Sequence, residues 1–169
     1  CLPEDRPIVF TSGTAHHHCR AFFEASVRAC HRLKRPGLLM STFPENFPSD
    51  LPDTVRAMPY ASFSRLLPHC SAIVHHGGIG TTSQALAAGI PQLIRPMAFD
   101  QFDNASRIEN LGCGRWLRND RNLARELQRV IELPRKTTTD SELVSAVPGE
   151  KDAASIAVMH LQKLLSARG

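Results

Sequence analysis

His75, His76, Gly77, Gly78, Ile79, Gly80, Thr81 and Thr82 combine three glycines in four positions with two imidazoles and two hydroxyls. Glycine lets a backbone approach a ligand where any side chain would hold it off. Thr81 and Thr82 can cap a helix or bond an anion's oxygen, and His76 can donate to the same oxygen. Once a helix follows, its open first-turn amides and positive dipole end point at that anion, the dipole contributing roughly 0.3–1 kcal/mol. The chemistry implied is the holding of a phosphate or diphosphate. The spacing is neither G-x-G-x-x-G nor G-x-x-x-x-G-K-[ST], so neither standard nucleotide fingerprint describes it. The competing reading is a tight strand-to-helix turn that needs glycine for geometry alone.

The flanking residues predict what positions this segment. Ala72-Ile73-Val74 is too short for a helix and reads as a buried strand, and Ser83 to Ala88 reads as the helix, stopped by Gly89 and Pro91. Gln92-Leu93-Ile94 is the next strand, followed by a polar loop carrying Asp100, Gln101, Asp103 and Asn104. A carboxylate beside an amide suits a polyol, while Asp100 alone would also serve as the N-cap of a helix over Gln101 to Leu111, with Phe102, Ala105, Ile108 and Leu111 on one face.

Upstream, Pro7 to Thr11 predicts a first strand and Ser12-Gly13-Thr14-Ala15 a second glycine turn, leading to a helix over Arg20 to Leu33. Leu38 to Ser41 and Val55 to Met58 read as strands, separated by the proline-rich loop Thr42 to Asp53. A short helix starts at Ser62 or Ser64 and ends at Pro68. Tyr60 falls in the loop at a strand's carboxyl end, where open α/β sheets place their ligands. Its ring could stack on a nucleobase; the alternative is ordinary rim packing. Gly114 to Leu117 gives a sixth strand, its Trp116 packing in the core or at a domain interface. Leu123 to Leu133 is an amphipathic helix, and Ser141 to Val147 and Asp152 to Leu165 read as two more. The expected architecture is a Rossmann-like three-layer α/β/α fold with a mostly parallel sheet of about six strands.

The long segment His75 to Ala105 resembles the donor-binding signature of GT-B glycosyltransferases that use nucleotide sugars, the glucosyl and glucuronosyl type, and among them bacterial members acting on natural products and lipids. The order of elements agrees from about Ile8 to Ile131. The resemblance implies that residues 1–169 form one half of a GT-B fold: the C-terminal, donor-binding domain of a two-domain enzyme. It assigns the diphosphate to His76, Gly78, Gly80, Thr81 and Thr82, with Gly13 and Thr14 from the first turn. It assigns base and ribose to Tyr60, Phe63 and Gln84, and the donor sugar to Asp100 and Gln101. His75 is expected to be structural. Plant members usually carry a glutamate where Gln84 stands, to accept both ribose hydroxyls; an amide does so less strongly, which leaves UDP and TDP both open.

The full enzyme would be an inverting hexosyltransferase from a UDP- or TDP-sugar to a hydroxyl of a small-molecule or lipid acceptor. Its base would lie in the N-terminal acceptor domain, leaving this chain without catalytic residues and silent alone. No D-x-D pair occurs, so neither a metal nor another cofactor is expected. Alternatives are a nucleotide-sugar 2-epimerase, a non-catalytic nucleotide-sugar-binding subunit, and a metal module built from the histidines, including His16-His17-His18, which otherwise read as a solvated loop or first helical turn.

Composition excludes other classes. At 42% hydrophobic and 21% charged the chain is an ordinary globular one, and a net charge of +4 favours an anionic ligand but is too weak to argue nucleic-acid binding. No apolar run reaches membrane-span length and no signal peptide opens the chain. The five cysteines are odd in number and lack C-x-x-C pairing, which points to reduced thiols and a cytoplasmic setting, with Cys70 and Cys113 in the core. The first residue, Cys1, suggests an excised fragment.

Overall fold

The computed structural model describes residues 6–13 and 19–136. Thr14, the three adjacent histidines and the two last helices expected from the sequence lie outside the described residues. Six strands form one sheet: β1 (Ile8–Thr11), β2 (Gly37–Met40), β3 (Val55–Met58), β4 (Ala72–His75), β5 (Gln92–Ile94) and β6 (Gly114–Trp116). The order is β3-β2-β1-β4-β5-β6 and every pairing is parallel. Ile8 stands opposite both Gly37 and Ala72, so β1 is the sheet's centre. The winding reverses between β1 and β4, and at such a switch point the loops splay apart to leave a crevice at the carboxyl ends.

Why the strands are apolar throughout follows from burial on two faces. Ile8 and Phe10 point to α1 (Arg20–Leu33) and α5 (Leu123–Ile131), where Phe23, Leu127 and Val130 complete the layer. Val9, Leu38 and Ile73 point the other way, against Leu67 and Ala85. Ile94 packs on Ala105 and Ile108 of α4 (Gln101–Asn110). At the edge, β3 buries Val55 but exposes Arg56 and Ala57, which guards it against further pairing.

Several boundaries differ from the sequence reading. The helix after β4, α3 (Ile79–Ala87), starts four residues before Ser83. Gly78 is its N-cap, and the Thr82 amide closes the first turn on the Gly78 carbonyl at 3.0 Å. Tertiary support therefore carries a helix through a glycine that propensity alone would leave outside it. The short helix α2 (Phe63–Leu66) runs on through Pro68 as a 3₁₀ turn over Leu67–His69, because proline fits a first-turn position where no amide donor is needed. Phe102, expected on the buried face of α4, is 44% exposed and meets Trp116 edge-on with ring centroids 5.9 Å apart. Trp116 is half-buried, with the Arg118 guanidinium 4.5 Å from its ring centre.

Candidate functional site

The turns after β1 and β4 meet around one imidazole. Gly13 has φ +81° and carries no side chain that could touch His76; a Cβ there would fall 2.6 Å from the ring's Cε1. A Cβ on Gly78 would fall 2.5 Å from Nε2. The ring is thus clasped between two glycines from separate turns, and neither position tolerates alanine without moving it.

Gly80 is a different case. It occupies the second helical position of α3, where glycine costs about 0.5–1 kcal/mol relative to alanine. Nothing lies within 4 Å of where its Cβ would stand. The fold has no steric need for this glycine. It opens instead onto a cavity of about 390 Å³ at the carboxyl ends of β1 to β4. The amides of Ile79, Gly80 and Thr81 precede the first intrahelical bond and point out of the helix start, so the mouth of α3 offers a row of donors.

The cavity collects most of the residues assigned from the sequence. Gly13, His76, Gly78, Gly80 and Thr81 line it together with Tyr60, Phe63 and Gln84. Tyr60 is 77% exposed, an aromatic ring presented to solvent rather than packed. Gln84 is exposed and its amide reaches the Gly80 carbonyl at 3.4 Å. The ends of β2 add Ser41 and Thr42, which the sequence reading left in a strand and a loop. The signal for them was available: β2 neighbours the central strand, and its carboxyl end must face the same crevice.

Thr82 requires a correction. It is buried, and its hydroxyl donates to the Gly78 carbonyl at 3.0 Å, so it braces the first turn instead of facing the cavity. Asp100 and Gln101 also stand apart from the cavity lining, across the Gly77 peptide. Asp100 occupies the N-cap position of α4 but makes no capping bond; its Oδ2 accepts from Asn104 at 3.1 Å. The Gln101 Oε1 accepts from the amides of Met97 and Ala98 at 2.8 and 3.1 Å, shaping the loop that follows β5.

His75 is structural, as the sequence suggested. Its Nδ1 accepts from the Gly77 amide at 3.1 Å, so its proton sits on Nε2 and is donated to the Gln92 Oε1 at 2.9 Å. The Gln92 amide in turn donates to the Thr82 carbonyl at 3.3 Å. Burial pushes the His75 pKa down to about 3, the Gln92 bond opposing it and neighbouring His76 adding to it, so the ring stays neutral. Gln92 was read from the sequence only as part of a strand; a polar residue amid Pro91, Leu93 and Ile94 was the available hint. Burial likewise raises the thiols of Cys30 and Cys70, to about 12 and about 11, which makes them inert core residues. Among the described residues no group of three or more His, Cys, Asp and Glu is placed to hold a metal, and no helix is long and apolar enough to cross a membrane.

The sequence profile described as "Erythromycin biosynthesis protein CIII-like, C-terminal domain" matches residues 41–157. The chain belongs to this family. The CIII-like domain is 36% identical over 142 residues to the aclacinomycin-T 2-deoxy-L-fucose transferase of Streptomyces galilaeus, covering 78% of this chain but 32% of that enzyme. It therefore spans about a third of the length of that relative. Among solved structures it resembles the glycotransferase of kitacinnamycin, with a TM-score of 0.72 at 20% identity over 95% of this chain and 44% of the other. It also resembles the glycosyltransferase VinC, solved in complex with DTDP, with a TM-score of 0.60 at 27% identity over 86% of this chain and 42% of the other. These neighbours are GT-B glycosyltransferases, and the CIII-like domain has the Rossmann-like fold of one of their halves.

Proposed function

We propose that this chain is the donor-binding domain of a natural-product glycosyltransferase that transfers a hexose from a nucleoside-diphosphate sugar to an acceptor hydroxyl. The observation that carries the reading is Gly80, a helix-start glycine with nothing within 4 Å of where its Cβ would stand, opening onto a cavity beside His76. Diphosphate on the α3 amides and His76 would accept the negative charge that develops on the leaving nucleoside diphosphate, without a metal. Tyr60 and Phe63 would take the base, and Asp100 and Gln101 the sugar. TDP is favoured over UDP: Gln84 presents an amide rather than a carboxylate toward the ribose side, and the similar VinC was solved with DTDP. The acceptor base and the aglycone contacts belong to an N-terminal domain, and transfer is inverting.

Calorimetric titration of the full-length gene product with TDP, UDP and their glucose conjugates, with and without a chelator, tests this. Binding of TDP-sugar that persists in chelator is the expected result. Absence of any nucleotide binding, or its loss in chelator, overturns the reading.

A further inference from the structure

The Gly77 peptide is held from both sides by side chains of different elements. Its amide donates to His75 on β4, and its carbonyl accepts from the Asn104 Nδ2 of α4 at 2.9 Å. Its φ of +92° lies in the left-handed region, and a Cβ there would meet Ile94 Cγ2 at 2.7 Å and the Gln101 carbonyl at 3.1 Å. No side chain fits at Gly77, its peptide has two anchors, and it immediately precedes Gly78, which opens α3. Asn104 spends its amide nitrogen twice, on the Gly77 carbonyl and on the Asp100 Oδ2. It is absent from the cavity lining.

We infer that Asn104 is a positioning residue that couples the Asp100 loop to the diphosphate turn, so that donor-sugar and diphosphate binding depend on one another. The inference rests on the proposed function. Asn104 touches neither phosphate nor base. It sets the direction of the Gly77 peptide and hence the aim of the amides that follow, while its second bond ties that peptide to a carboxylate one helical turn away. A sugar engaging Asp100 is thereby felt at the phosphates through one side chain, a contiguous hydrogen-bonded path.

The test is a cycle of two ligands, TDP and TDP-glucose, against wild type, Asn104→Ala, Asn104→Leu and Asp100→Ala in the full-length gene product, below the melting transition. Asn104→Leu keeps the side chain's bulk without a donor, and folding of each variant is checked by circular dichroism. Both Asn104 variants are expected to weaken TDP about 5- to 30-fold, although TDP carries no sugar, and to reduce the extra affinity conferred by glucose. Asp100→Ala, which removes one of the two partners of the Asn104 amide, is expected to weaken TDP by a smaller factor, about 2- to 5-fold, and TDP-glucose further. Asn104 variants that melt earlier but bind TDP as wild type would make the residue merely structural and sink the inference. Should neither Asn104 variant fold, TDP affinity in Asp100→Ala equal to wild type sinks it in turn. Failure of wild type to bind TDP would overturn the proposed function and this inference with it.

Discussion

Replacing Gly80 with alanine separates a glycine kept for the fold from one kept for a ligand. At the second position of α3 the substitution removes a conformational-entropy cost, and nothing stands within 4 Å of the added methyl. The protein should be more stable by about 0.4–1 kcal/mol, raising the melting temperature by about 1–4 °C for a chain of this size. Binding should move the opposite way. On the proposed reading, a methyl on the α3 start would occupy the space the diphosphate needs to reach the amides, and loss of one charge-assisted hydrogen bond costs about 1.5–3 kcal/mol. That is about a 10- to 150-fold rise in the dissociation constant for TDP. Differential scanning fluorimetry without ligand and calorimetry with TDP give the two numbers. Gly78→Ala serves as the contrast, because its methyl would sit 2.5 Å from His76 Nε2 and should cost stability and binding together. A Gly80→Ala protein that is stabilised yet binds TDP as tightly as wild type would refute the reasoning.

Three further outcomes follow from the same geometry. His76→Ala should weaken TDP by about 1.5–3 kcal/mol by calorimetry, the range for a hydrogen bond to a charged group; an unchanged constant removes His76 from the site. Tyr60, being 77% exposed, should be replaceable by alanine with little change in melting temperature, while nucleotide affinity falls by about 1–3 kcal/mol if its ring stacks on a base. For His75, the folded pKa of about 3 lies below the ordinary 6.5, so the unfolded chain binds the proton first. The stability it contributes is complete above pH 6.5 and is lost as pH falls toward 3, at up to about 1.4 kcal/mol per pH unit. Urea unfolding at pH 7 and pH 5 should show a smaller difference in His75→Gln than in wild type, and an equal difference would count against a neutral buried ring.

What the sequence disclosed and what it hid divide along a physical line. β3 and β5 and the helix from Arg20 to Leu33 were legible to the residue, because short apolar runs between turn formers and a 14-residue helical period are local signals. Gly13, His76, Gly78, Gly80 and Thr81 could be grouped because the glycine spacing belongs to one continuous stretch and its partner turn follows the first strand. Thr82 was misplaced for want of one fact. With the helix taken to begin at Ser83, a threonine before it looks like a cap facing outward. With the helix beginning at Ile79, the same side chain turns back on Gly78 and is buried. The Asn104 and Gln92 bonds were invisible for another reason. Each joins residues 10 to 27 positions apart, and side-chain hydrogen bonds at that range leave no periodicity to read.

The proposed diphosphate site also accounts for the distance kept between the acidic candidate and the cavity. Of the residues lining the cavity, Tyr60 and His76 are titratable and none is a carboxylate. A fixed anion beside a diphosphate held against helix amides would offset by repulsion what their partial positive charge contributes. Asp100, the carboxylate assigned to the sugar, stands on the far side of the Gly77 peptide, with Asn104 donating to both. A neutral amide between a carboxylate and a phosphate-facing turn can satisfy the first without repelling what binds at the second. An aspartate at position 104 would place a second negative charge beside Asp100, remove both donors and leave the Gly77 carbonyl without its partner. On the proposed reading, Asn104→Asp should therefore weaken TDP binding more than Asn104→Ala does, and equal losses by calorimetry would refute the electrostatic part of the argument.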